Sequence, residues 1–176
     1  SACGASYADG TETGLPAFSG DSGSYAHNRS TDGSTAVGWS YSTIDTAKGP
    51  QTVLRPIVWN DGKAIALGDG NYIGGATGVS RNGGTVVGGI FDQNTGYNRA
   101  FRWTADQGVK LLTPLQTPSF EMAWDVSADG KIAVGESDTT AYAPTNAAIS
   151  AVRWTKGKAM DLGNLGIQQS RAYAIS

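Results

Sequence analysis

The chain has 176 residues, of which 25 are glycine and 16% are charged, with a formal net charge of −2. That length suits one ordinary domain or a piece of a repeat array, and lets the chain bury roughly 70% of its unfolded surface. Near-neutral charge without a Lys/Arg run argues against electrostatic capture of nucleic acid or an anionic membrane, no apolar run is long enough to cross a bilayer, and glycine with few charges favours turns and short strands.

Residues 1–24 are small, polar and glycine-rich, with an apolar knot at Leu15, Ala17 and Phe18. They read as a leader or as part of a preceding repeat. Cys3 is the single cysteine, so no internal disulfide is expected and packing must hold the fold. Ser1-Ala2-Cys3-Gly4 resembles the end of a lipoprotein cleavage box, which would put a lipid anchor on Cys3; a free thiol near a processed terminus is the simpler reading. Gly20-Asp21-Ser22-Gly23 copies the tetrapeptide around the nucleophile of chymotrypsin-like proteases. That serine needs a histidine base and an orienting carboxylate, and the sole histidine, His27, follows in a chain with no room for the preceding barrel, so a turn is expected.

From Tyr25 onward the chain can be laid over itself. Repeat 1 covers residues 25–75, repeat 2 covers 76–121, repeat 3 covers 122–170, and residues 171–176 read as the first strand of a further repeat. The opening piece is Ala76-Thr77-Gly78-Val79-Ser80, then Ala123-Trp124-Asp125-Val126-Ser127, then Ala172-Tyr173-Ala174-Ile175-Ser176. Its closing serines, with Ser30 of repeat 1, are spaced 50, 47 and 49 residues apart. Arg29 stands where the other copies have Val79, Val126 and Ile175, as suits a degenerate terminal copy. A second piece follows an Asp-Gly or Asn-Gly pair: Ala36-Val37-Gly38, Val86-Val87-Gly88 and Ala133-Val134-Gly135. A third ends in Trp59, Trp103 and Trp154, and a fourth runs through Leu67, Leu112 and Leu162.

Each piece is short, rich in Val, Ile, Phe and Trp, and bounded by turn formers, which is the pattern of a strand. Four strands per period predict an all-β fold of repeated four-stranded antiparallel units, β-propeller-like, with about three blades and a partial fourth. Asp32-Gly33, Asn82-Gly83 and Asp129-Gly130 are expected to make tight hairpins through positive φ. Strand alternation turns Phe101 and Trp103 one way and Arg102 the other, so Trp59, Trp103 and Trp154 should be equivalent inward residues.

These pieces, together with Arg99-Ala100-Phe101-Arg102-Trp103 and Met160-Asp161-Leu162-Gly163-Asn164-Leu165-Gly166, resemble the bacterial extracellular HAF repeat family. The likeness covers 76–176 well and 31–68 loosely, and the naming His-Ala-Phe tripeptide is absent: Arg99 and Ser150 stand at its first position. The resemblance implies an exported protein of a Gram-negative bacterium, extracellular or on the outer-membrane surface, often the passenger region of an autotransporter. It carries over no catalytic residue.

Chemistry-bearing residues are sparse. One histidine and one cysteine leave no zinc set, and Asp32, Asp129 and Asp138 lack the spacing of a calcium loop; no metal or cofactor is expected. Asn28-Arg29-Ser30 fits a glycosylation sequon by chance. Glu121, Asp125 and Glu136 are the carboxylates that a glycoside hydrolase would draw on, an alternative without a motif behind it. The segments between the second and third strands carry Trp39, Tyr41, Phe91, Tyr97 and Tyr142 among Ser, Thr, Asn and Asp. Rings beside amides and hydroxyls suit stacking on sugars or docking a protein, although they also serve as small loop cores. The expectation is a non-catalytic, adhesin-like binding module for a glycan or a surface protein, with association with further repeats or self-association open; a purely structural spacer is the third reading.

Overall fold

The computed structural model describes residues 4–6, 12–68, 73–117, 119–139, 148–163 and 169–176. Cys3 and Tyr142 lie outside the described residues. A short antiparallel pair, β1 (Gly4–Ser6) with β2 (Glu12–Gly14), precedes three four-stranded antiparallel sheets, and no helix occurs among the described residues. Sheet 1 holds β3 (Gly23–Arg29), β4 (Thr35–Thr46), β5 (Gly49–Asn60) and β6 (Lys63–Ala66). Sheet 2 holds β7 (Ile73–Val79), β8 (Val86–Asp92), β9 (Tyr97–Thr104) and β10 (Gly108–Leu111). Sheet 3 holds β11 (Glu121–Val126), β12 (Ile132–Asp138), β13 (Ile149–Thr155) and β14 (Lys158–Asp161). Each sheet is a meander in which every strand pairs with the next in sequence.

The register repeats as closely as the sequence does. Trp59 pairs with Ala36 and Ala64, Trp103 with Val86 and Val109, and Trp154 with Ala133 and Ala159. Trp59 and Trp154 are 1% exposed, and their indole nitrogens donate to the carbonyls of Pro16 (2.7 Å) and Thr113 (2.8 Å). Trp103 shares the position but is only partly buried. Alanine on both sides makes room for the ring in sheets 1 and 3, whereas valine flanks Trp103 on both sides.

The first strand of every sheet carries a bulge at the same place, between Ala26 and Asn28, Ala76 and Gly78, and Ala123 and Asp125. Opposite lie Gly38, Gly88 and Gly135. A Cβ on any of them would run into a first-strand carbonyl, that of Tyr25, Gly75 or Met122 respectively. The bulge brings backbone against backbone, so the Val-Gly of the second strand is a close-approach glycine.

The turn after the first strand is also built three times. Ser30, Ser80 and Ser127 are buried, and their hydroxyls donate to Asp32, Asn82 and Asp129 at 2.6, 2.9 and 2.7 Å. Each serine oxygen accepts the amide of Thr35, Thr85 or Ile132, and each Asp or Asn oxygen accepts that of Ser34, Gly84 or Lys131. Only the glycines, Gly33, Gly83 and Gly130, take positive φ, at 75°, 71° and 73°. This corrects the tight-hairpin expectation: the Asp or Asn serves as an acceptor that closes a longer turn. Two-residue turns with two positive φ values join the third and fourth strands instead, at Asp61-Gly62 and Lys156-Gly157.

The sheets stack face to face. β7 packs on β3, β4 and β5, and β11 packs on β7, β8 and β9, so the first strand of each sheet lies on the sheet before. Val37 and Val58 of sheet 1 share one core with Val79, Val86 and Phe101 of sheet 2; Val87 and Ala100, from the other face of sheet 2, share a second with Val126, Val152 and Trp154 of sheet 3. The tryptophan face therefore looks back and the opposite face looks forward. A leucine just past each fourth strand bonds back to the third strand of its own sheet: the amides of Leu67, Leu112 and Leu162 donate to Pro56, Ala100 and Ala151 at the same position. Leu67 and Leu112 are 0% and 3% exposed, seated in the core of the following sheet, and Leu15 fills that place in sheet 1. Leu162 is 50% exposed.

Residues 171–176 form no ladder, yet they lie on sheet 3 as β11 lies on sheet 2. A Cβ on Gly75 would meet the Trp39 ring, one on Gly89 would meet the Met122 sulfur, and at the matching place Arg171 binds the carboxylate of Glu136. Ala172 donates its amide to Gly135 (3.2 Å), and Ile175 donates its amide to Asp125 (3.0 Å).

Candidate functional site

Of the five aromatics proposed from the sequence, the four among the described residues, Trp39, Tyr41, Phe91 and Tyr97, sit on strands. β4 and β5 pair continuously from Thr35↔Asn60 to Thr46↔Gly49, which places Trp39 and Tyr41 inside a long ladder; Phe91 is in β8 and Tyr97 begins β9. The stretches between the second and third strands, expected as connections, instead prolong the two strands as paired ladder. Exposed strand ends tolerate the Ser, Thr, Asn and Asp found there once the ladder satisfies their backbone groups.

Two of the five come together. Trp39 and Phe91 line a solvent-open groove of about 400 Å³ that draws on all three sheets. Sheet 1 contributes His27 and Leu54, sheet 2 contributes Ile73, Thr77 and Asn98, and sheet 3 contributes Met122 and Trp124. Gly74, Gly75 and Gly89 form part of the lining, and a Cβ at Gly75 would stand 3.0 Å from the Trp39 ring. Trp39 is held from the other side by Tyr25, stacked at 4.7 Å, while His27 tilts towards it at 5.9 Å. Phe91 is 40% exposed. Trp124 touches Tyr173 at 5.7 Å and donates its indole N–H to Glu136.

Trp124 and Met122 are the residues that sequence reading missed as site candidates. The signal was present: Ala123 and Val126 are buried either side of the bulge, so Met122 and Trp124 point to the opposite face. Tyr41 lies over Gly23, whose Cβ would collide with the phenol, and does not reach the groove lining. Tyr97 lines a separate pocket of about 200 Å³ with Arg99 and Glu121.

That smaller pocket holds the most perturbed acid. Glu121 is 0% exposed, and both its oxygens accept from Arg99 Nε at 3.0 and 3.1 Å. Burial pushes its carboxyl up to about 7, against the opposing pull of the Arg99 guanidinium, and Asp138 nearby adds to the rise. Asp138 is raised as well, by burial, although it accepts the Phe120 amide at 3.1 Å. Arg99 lies on β9 and Glu121 on β11, so the pair ties sheet 2 to sheet 3. Asp125 accepts the amides of Val126 and Ile175, and Glu136 holds Trp124 and Arg171. All three carboxylates of the hydrolase alternative are thus occupied by contacts within the chain. Gly20 to Gly23 begins with a turn, in which Asp21 bonds back to Phe18 and pairs with Arg55 at 3.4 Å.

No family model and no curated protein matches the chain. A solved structure described as a candidate TolB from Agrobacterium tumefaciens matches 79% of it with a TM-score of 0.50 and 16% identity. The likeness is one of fold. The chain spans about half of that protein, 48% of its length.

Proposed function

We propose that this chain is a non-catalytic binding module of the bacterial cell surface or envelope, whose three sheets are successive blades of a propeller-like array. Three findings support the array: one register and one turn built three times, the same back-to-front packing at both seams, and the fold likeness over most of the chain. Export follows from the HAF-repeat resemblance of residues 76–176.

The observation that carries the binding role is the groove in which Trp39, Phe91 and Trp124 meet across three sheets. Its ligand is a protein surface. Leu54, Ile73 and Met122 form apolar walls, and His27 and Asn98 offer exposed polar side chains, while the buried Thr77 spends its hydroxyl on the Ala123 carbonyl. A sugar would bring more hydroxyls than these can satisfy, whereas an aromatic or aliphatic anchor from a partner protein fills such a groove well.

A peptide-library selection on the immobilised chain tests this. It should enrich peptides with aromatic or aliphatic anchors whose binding changes tryptophan fluorescence. Phe91→Ser should weaken them by about tenfold or more without altering the melting temperature, since the ring is partly exposed. Peptides indifferent to Phe91→Ser, or selective binding on a glycan array instead, would refute the assignment.

A further inference from the structure

A second cleft lies at the other end of the strands, against the turns. It has a volume of about 420 Å³ and opens between sheets 2 and 3. Four cationic side chains line it: Arg102 of β9, Lys110 of β10, Lys131 after the Gly130 turn, and Lys156 in the β13–β14 turn. Leu111 supplies exposed apolar surface between them, over the buried Ala133 and Trp154.

The repeat provides its own control. Arg102 precedes the strand-three tryptophan and pairs with Lys110; in sheet 1 the same two places hold Val58 and Ile65, also paired. Lys131 follows Gly130 as Gly84 follows Gly83. Lys156 sits in a turn whose counterpart in sheet 2 is Ala105-Asp106-Gln107. The fold makes the same seam between sheets 1 and 2 without a cation at any of these places. Packing therefore does not require the four charges, which gather in a chain of net charge −2.

Lys156 adds a local sign. It adopts φ 53°, a conformation that Asn, Asp and Gly take readily and lysine seldom does; the matching residue of sheet 1, at φ 47°, is Asp61. Two acids face the cluster. Asp129 pairs with Lys131 at 3.1 Å, and Asp106 lies within electrostatic reach of Arg102. Four cations against two acids leave the cleft positive.

We infer that this cleft binds a sugar-sized ligand bearing a phosphate or sulfate ester. The guanidinium of Arg102 is engaged by the Gly130 carbonyl (Nε, 3.4 Å) and the Thr85 hydroxyl (3.2 Å), so it fixes one wall. The three lysines are point charges on flexible stems, which converge on a compact tetrahedral oxyanion. The volume fits a small organic body, and the exposed Leu111 side chain gives it an apolar seat. This site is separate from the aromatic groove and does not depend on it.

The test is an amide-resolved NMR titration of the whole chain at low ionic strength with glucose 6-phosphate, glucose 6-sulfate and glucose. One or both esters should shift the amides of Lys110, Lys131 and Gly157 saturably, and the tighter of the two identifies the ester. Glucose should leave those amides in place. Lys110→Thr with Lys156→Asn, residues suited to the strand and to the turn, should weaken binding by about tenfold or more while keeping the melting temperature. The inference is overturned by linear shifts with both esters, by equal binding of glucose, by saturable shifts confined to the aromatic groove, or by ester binding that the double variant leaves unchanged.

Discussion

Leu112→Ala probes the seam between sheets 2 and 3. The side chain is 3% exposed and lies among Val87, Ala123, Val126 and Trp154, so its removal leaves a cavity that strand backbones on both sides cannot close. A buried Leu→Ala change of this kind costs about 2–5 kcal/mol. For a chain of this size that corresponds to a fall in Tm of about 5–15 °C. Leu162→Ala is the matched control: the same leucine of the repeat, with the same amide bond to the third strand, but 50% exposed. Its cost should stay within about 0.5 kcal/mol. Urea denaturation and calorimetry of the two variants decide the matter. Equal losses, or a loss at Leu162 exceeding that at Leu112, would refute the assignment of this leucine as the plug that each sheet hands to the next.

Ser127→Ala removes a hydroxyl that donates to Asp129 and accepts from Ile132, and should cost about 1–3 kcal/mol in urea unfolding, with Ser80→Ala costing a similar amount. Gly135→Ala drives a methyl group into the Met122 carbonyl, so circular dichroism should show a lower midpoint than for Gly163→Ala, where φ is strained but no atom lies nearby. Glu121 has a folded pKa raised to about 7, so its stabilising contribution is complete below its ordinary value and is lost as pH rises through 7; the buried carboxyl should cost up to about 3 kcal/mol across that window, and Glu121→Gln should flatten the urea midpoint between pH 5 and 8. Asp129 runs the other way: its carboxyl is lowered to about 2 by the Ser127 hydroxyl, so its contribution is present above 4 and lost as pH falls towards 2, a loss that Asp129→Asn should remove.

The repeat was legible because three of its devices are written in residue types. Trp59 and Trp154 demanded a buried face, the Val-Gly pairs marked second strands, and the Ser-x-Asp-Gly spacing marked turns. What those glycines do was less legible. Gly38, Gly88 and Gly135 answer a bulge in the neighbouring strand, which no local pattern announces. The Asp-Gly pairs gave the turn its place but the wrong geometry, because the serine two residues earlier supplies the hydrogen bonds that decide its length. The candidate site was half legible. Trp39 and Phe91 were visible as aromatic residues among polar ones; their meeting with Trp124 depends on how three sheets stack, and Tyr41 and Tyr97 diverge for the same reason.

The stacking of the sheets is tested most directly by nuclear Overhauser effects across the two seams. Cross-peaks from the Trp39 ring to the Gly75 α-protons and from the Met122 methyl group to those of Gly89 are expected, since these pairs are in contact at equivalent positions. Observing both supports three sheets in one repeated arrangement. Finding Trp39 or Met122 close to neither glycine would contradict the arrangement, and the groove built on it.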